Sequence, residues 1–286
     1  MTHSNYTLAC VERAVTFMSD ETRSGRTPSL DETAQAAGLS KYHFNRLYRL
    51  ATGETSQETL TRFRLAQATD RLKDPETSVT DAAFSAGYGS SQSFAKALKR
   101  VLSTSASAIR QDEERLGAAI ETLAAPAQSE DADRAGLSVE IARLDPFEAV
   151  ARRTDGAYPE LNTTYWSLFE AVGDPQNVAA ILGRPFGDID QADTLHFDCA
   201  LKVSQAPDAL PVGFSRVRID GGVYLITRHV GSYDGLSEAM DRLYLGALSN
   251  DAIRLSDAPA LFHYLDDPET TAEAELRTDL YLQLNV

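Results

Sequence analysis

Up to residue 115 the apolar positions recur at helical spacing, and beyond residue 137 alternating, strand-like segments enter. Tyr6, Leu8, Val11, Val15 and Met18 mark an opening helix. Gly25-Arg-Thr-Pro28 is a turn, after which Ser29 caps a short Ala-rich helix with Glu32 in capping-box position. That helix ends at Gly38, and Ser40 caps another that runs to about Ala51 before Thr52-Gly53. Leu60, Phe63, Leu65, Ala68 and Leu72 line one face of a longer helix over 57–72, closed by Asp74-Pro75.

The tract from Ser29 to Arg46 then occurs again. Ser78-Val-Thr-Asp-Ala-Ala-Phe-Ser-Ala-Gly87-Tyr88 and Ser90 to Lys96 repeat the short helix, the Gly turn and the Ser-capped second helix. This is a helix-turn-helix written twice, and two such units let one chain reach two successive major grooves of double-stranded DNA. Phe44, Leu47, Phe94 and Leu98 fall on the inner faces. The early outward residues of each second helix are candidates for base and phosphate contacts: Lys41, Tyr42, Asn45 and Arg46, with Arg49, in the first copy. The equivalents in the second copy are Ser91, Gln92, Ala95 and Lys96, with Lys99 and Arg100 further along. The first set is richer in base-reading chemistry, so it is expected to carry specificity while the second mainly engages phosphates.

Residues 116–136 read as a linker, with no periodicity from Ala124 to Gly136. Strands are expected at 139–144, 149–151 and 280–286. A second repeat appears at an offset of 75: Arg153-Thr-Asp-Gly156-Ala-Tyr158-Pro-Glu-Leu161 matches Arg228-His-Val-Gly231-Ser-Tyr233-Asp-Gly-Leu236. The following helices keep their apolar face, Leu161, Tyr165, Leu168 and Phe169 against Leu236, Met240, Leu243 and Tyr244. The fold class is therefore multidomain. An all-α double helix-turn-helix domain over 1–115 precedes an α+β domain over 137–286, built of two pseudo-symmetric repeats around an antiparallel sheet.

The charge is divided along the same boundary. The net −15 is +1 over residues 1–115 (15 Lys and Arg, 14 Asp and Glu) and −16 over the rest (12 and 28). DNA binding by the first part thus requires its cations to be gathered on one face, with strong salt dependence. Cys10 and Cys199 stand outside any metal or redox spacing, and no catalytic, metal or cofactor constellation is expected. No apolar run is long enough to span a bilayer and no leader is visible at the N-terminus, which points to the cytoplasm.

Residues 29–110 resemble the DNA-binding domain of the AraC/XylS regulators. The resemblance is carried by Ala36-Ala37-Gly38-Leu39-Ser40 with Phe44 and Arg46, Thr52-Gly53, Arg62-x-Arg64-Leu65 with Ala68, and Ala86-Gly87-Tyr88 through Phe94. It departs where the family has Gly-x-x-Pro and this chain has Ser103-Thr-Ser-Ala106. Residues 137–286 resemble the GyrI-like effector-binding domain, through the twin Gly-x-Tyr turns, Asp198, Pro259 and Thr278-Asp-Leu-Tyr281.

Together they imply a bacterial, sequence-specific transcription regulator of Rob-like order, DNA reader first and small-molecule sensor second, with RNA polymerase as a further partner. A monomer or a dimer suits two reading heads. The effector domains of this family bind amphipathic molecules in a cleft between the two helices and the sheet, which implies Tyr158, Trp166, Phe214, Tyr233 and Tyr281 as lining. Where the family shows Glu in Pro-x-x-Glu-x-Tyr, this chain reads Pro259-Ala-Leu-Phe262-His263-Tyr264, and His263 is taken as its replacement. A His there favours an anion or a neutral hydrogen-bonding ligand over a cation. Two alternatives compete with a sensor: a GyrI-like hydrolase of small electrophiles, which the loss of Glu disfavours, and an acidic domain that binds a protein partner.

Overall fold

The computed structural model describes residues 4–124, 139–155, 161–186 and 196–285. These residues form two compact units. One holds 6–38 and 48–124; the other holds 4–5, Leu39–Leu47 and 139–285, so two helices are divided between them, one of them by its first residue alone.

The first unit is built of α1 (Asn5–Arg23), α2 (Leu30–Ala37), the end of α3 (Lys41–Thr52), α4 (Ser56–Arg71), α5 (Val79–Ser85), α6 (Ser91–Leu102), α7 (Ala106–Arg110) and α8 (Glu113–Ala124). Local chemistry sets these boundaries. Ser29 and Glu32 form the expected capping box, and Thr55 and Glu58 form a second one that opens α4. Ser78 and Ser90 cap α5 and α6.

Three expectations change. The buried stripe of α1 is Thr7, Cys10, Ala14, Met18 and Thr22, while Leu8 is exposed; small side chains, not the bulkier Tyr6, Leu8, Val11 and Val15, allow the closest packing. The linker does not begin at 116: α8 buries Leu116, Ala119 and Leu123 and packs on α4, and residues 125–136 lie outside the described residues. Ser103, in place of the family glycine, ends α6 with φ 55, and among the described residues it alone of the non-glycines has a positive φ.

Core packing is continuous from α4 to α8. Leu65, Ala68, Leu72, Phe94, Leu98, Ile109, Leu116 and Leu123 form one cluster. Beside it, Arg62 clasps Glu54 with Nε at 2.9 Å and donates to the Leu123 carbonyl, tying α8 to α4.

The second unit is an antiparallel sheet of eight strands in the order β1-β6-β8-β7-β3-β4-β2-β5. The strands are β1 (Glu140–Leu144), β2 (Phe147–Asp155), β3 (Val178–Phe186), β4 (His196–Val203), β5 (Phe214–Ile219), β6 (Gly222–Val230), β7 (Leu261–Tyr264) and β8 (Arg277–Gln283). Helices α9 (Leu161–Val172) and α10 (Leu236–Leu248) cover one face, α9 on β2 and β4, α10 on β6 and β8. The repeat is literal: β2 and α9 begin 75 residues before β6 and α10. The two halves join where β3 meets β7, pairing Leu182 with His263.

β1 and β5 are the outer edges, yet two residues link β1 to β2 and two link β5 to β6. So short a link cannot cross a flat eight-stranded sheet, so the sheet curls until its edges approach. The face away from the helices gathers Ala149, Ala151, Leu182, Ala200, Ile219, Tyr224, Leu261 and Tyr281 into one cluster.

Candidate functional site

The two helix-turn-helix copies share a device that the sequence reading did not find. In the first, Gly38 takes φ 73 and Arg13 of α1 donates to the carbonyl of Ala37. In the second, Gly87 takes φ 75 and Arg64 of α4 donates to the carbonyls of Ala86 (2.9 Å) and Gly87 (2.6 Å). A Cβ on Gly38 would come to 3.1 Å from the Arg13 guanidinium, and one on Gly87 to 3.3 Å from that of Arg64. Each glycine therefore supplies both the left-handed turn and the room for the arginine that binds the end of the first helix.

On α6 the inner face buries Phe94 and Leu98, while Gln92, Ala95, Lys96, Lys99 and Arg100 are exposed and Ser91 is half-buried. That row is open to solvent. The same positions on α3 are placed differently. Lys41 is exposed, and Tyr42, Asn45 and Arg49 are half-buried.

Arg46, expected to face solvent, is only 4% exposed. Its guanidinium forms an ion pair with Asp241 of α10 and donates to the Ser237 carbonyl at 3.1 Å. Beside it, Nδ1 of buried His43 lies 2.6 Å from the Tyr244 hydroxyl, and the Tyr42 ring meets Phe186 edge-on at 5.5 Å. Burial pushes the His43 imidazole down to about 4, so it is neutral at neutral pH.

In the second unit the expected lining residues separate. Tyr158 lies outside the described residues. Tyr233, three residues before α10, stacks edge-on to Tyr264 at 5.4 Å, and Tyr264 meets Tyr165 of α9 at 6.0 Å. Phe262 joins them, 6.5 Å from Tyr264 and 6.3 Å from Phe197. These five rings form an aromatic cluster between the sheet and the two helices, with Tyr165 donating to the Leu182 carbonyl at 2.7 Å. Trp166 is 57% exposed on α9, and Phe214 lies under the Arg152 guanidinium at the edge strand.

His263 and Tyr281 do not belong to this cluster. Strand neighbours face opposite ways, so with Phe262 and Tyr264 turned to the helices, His263 points to the other face. There it meets the fields of Asp279, Lys202 and Arg228, and burial is the largest influence lowering its pKa. Tyr281 is on that face too, against Tyr224 at 6.2 Å. Counting from Pro259 to Tyr264, the residue at the family's Glu position is Phe262. A one-residue offset had moved the assignment to the wrong side of the sheet.

The face with His263 carries two matched ion pairs, each between cross-strand partners. Arg153 holds Asp198 (2.8 and 3.2 Å), and 75 residues on Arg228 holds Asp279 (2.6 and 2.8 Å). The repeat is unequal between them: Ala149 and Ala151 correspond to Tyr224 and Ile226.

Among the described residues the aromatic cluster is poor in reactive groups. Burial pushes the Cys199 thiol up to about 12 and the Tyr165 phenol well above its usual range, so neither ionises at neutral pH. Burial raises the Tyr233 phenol, followed by Asp266 and Asp267, and Asp266 is itself held by Arg277 at 2.7 Å.

Residues 33–112 match a helix-turn-helix domain model, and residues 137–285 match that of the GyrI-like small molecule binding domain. The chain is 32% identical over 92 residues to the probable transcriptional regulator YgiV of Escherichia coli K12, a match covering 32% of this chain and 58% of that protein. It is 37% identical over 82 residues to the transcriptional activator AarP of Providencia stuartii, covering 29% and 61%. The chain thus spans about three fifths of each of these relatives. A crystal structure of a hydrolase from Listeria innocua aligns over 52% of this chain and 92% of its own, at 14% identity and TM-score 0.39. The chain belongs to the GyrI-like small molecule binding domain family, joined to an AraC-type helix-turn-helix domain.

Proposed function

We propose that this protein is a DNA-binding transcription regulator whose C-terminal domain binds an uncharged aromatic effector in the cleft of Tyr165, Phe197, Tyr233, Phe262 and Tyr264. The observation that carries the effector class is Phe262, a buried ring at the position where the family places a carboxylate. Without that acid the aromatic cluster has, among the described residues, no buried carboxylate to meet a cation, and burying an unpaired charge there is costly. An anion gains nothing from His263, which faces the other side of the sheet. Edge-on rings suit a flat apolar molecule instead. The same features support binding over hydrolysis, since Phe262 and the un-ionised Cys199 offer neither base nor nucleophile.

For DNA, the exposed row Gln92, Lys96, Lys99 and Arg100 supports a groove and phosphate contact by α6. Such a reader acts in the cytoplasm, with RNA polymerase as the partner of its output, and its two reading helices on one chain need no dimer.

A thermal-shift series with matched neutral, cationic and anionic aromatic amphiphiles tests the effector class. At 100 times its dissociation constant a ligand stabilises by about 2.7 kcal/mol. The neutral member should shift the full chain most and lose its effect in Tyr233→Ala. Stabilisation by the cation alone would overturn the assignment.

A further inference from the structure

Equivalent positions of the two reading helices are in opposite states. Phe44 and Phe94 are both buried, as a repeat demands, but two residues later Arg46 is buried and ion-paired while Lys96 is exposed. Contacts of three α3 residues produce the difference, all inside the compact unit that includes Leu39–Leu47. Tyr42 meets Phe186, His43 meets Tyr244, and Arg46 meets Ser237 and Asp241. Ser237, Asp241 and Tyr244 are spaced four and three apart, one face of α10. Tyr42 and Arg46 of the base-reading set on α3 are engaged by protein, and a side chain cannot pair with Asp241 and with a guanine at once.

We propose that α10 is an autoinhibitory clasp on the reading helix α3, with Asp241 as its principal residue. The clasp rests on the reading of α3 as a DNA-contacting helix. It also has a route to the effector. The segment Tyr233–Gly235 runs directly into α10 at Leu236, so the aromatic cleft and the clasp share one rigid element. An effector that moves Tyr233 acts on the helix that holds Arg46, shifting the population between a held and a released α3. The apparent affinity for DNA is then the intrinsic affinity reduced by the released fraction.

The test uses the full chain and a duplex that it recovers from a random-sequence pool. Asp241→Ala should bind this duplex on the order of tenfold more tightly, because it enlarges the released fraction. Removing an acid also reduces repulsion from phosphates, so Glu238→Gln is the control. Glu238 lies on the same helix, is 80% exposed and is paired with Arg242. It should change affinity by no more than about twofold, as expected of a screened surface charge.

Hydrogen exchange of the α3 amides should quicken in Asp241→Ala and stay unchanged in Glu238→Gln. Equal affinity changes in the two variants, or weaker binding by Asp241→Ala with unaltered exchange, would overturn the clasp. Should Asp241→Ala fail to fold, Tyr244→Phe keeps the ring and removes only the hydroxyl that His43 meets; tighter binding with faster exchange supports the clasp, and neither change refutes it. Lys96→Ala reports separately on DNA reading: if it binds as well as the parent, that reading fails, whereas a loss there with no gain in Asp241→Ala sinks the clasp alone.

Discussion

Pro146 lies against the backbone of Gly221, its equivalent 75 residues later in the repeat. These are the links that carry the chain from one edge of the sheet to the other, and they touch where the edges approach. A Cβ on Gly221 would fall 2.6 Å from Pro146 Cδ and 2.8 Å from its backbone nitrogen, neither of which has a flexible end to move away.

Gly221→Ala therefore separates the two links. The expected cost is about 1–3 kcal/mol, the usual range for an overpacked site. Urea unfolding of the full chain, followed by the tyrosine-rich second unit, measures it. An unchanged midpoint would show that the edges do not need this contact.

Ser103 offers the opposite change. It occupies the left-handed region at φ 55 on the exposed end of α6, where an L side chain is strained. Ser103→Gly should stabilise the first unit by up to about 1 kcal/mol, because the native backbone already has the conformation glycine prefers. Thermal unfolding gives the sign; a loss of stability would mean that the flexibility of glycine in the unfolded chain outweighs the relief.

Arg62 and Glu54 form a largely buried pair, with side chains 13% and 12% exposed. Arg62→Ala leaves the carboxylate without its partner and the Leu123 carbonyl without its donor. A loss of about 3–5 kcal/mol is expected. Amide exchange along α8 should rise before the rest of the unit, since this bond ties the helix to α4; uniform exchange would argue against that role.

His43 makes stability depend on pH. Its pKa is about 4 in the folded chain against the ordinary 6.5. Between these values the unfolded chain binds the extra proton, so stability rises with pH, is fully present above about 6.5 and is lost as pH falls towards 4. The contribution is at most about 3 kcal/mol for a shift of this size. The causes are burial first, then opposing contributions from the Ala258 and Ser256 backbone and Asp257. His43→Gln should flatten the difference in denaturation midpoint between pH 7 and pH 5, and a profile parallel to the parent would contradict the assignment.

What the sequence determined is local or periodic. The Ser29–Glu32 capping box, the Gly turns at 38 and 87 and the inward Phe44 and Phe94 follow from interactions within four or five residues. The domain order and the 75-residue repeat follow from comparing the chain with itself.

The tertiary structure decided the rest, because it depends on partners distant in sequence or on which side of a sheet a residue falls. Arg46 reads as an exposed groove contact until Asp241, 195 residues away, appears beside it. His263 and Phe262 differ by one position, but the alternation of a strand puts one among charges and the other among rings. Periodicity reports that a face exists; only the closed chain shows what covers it.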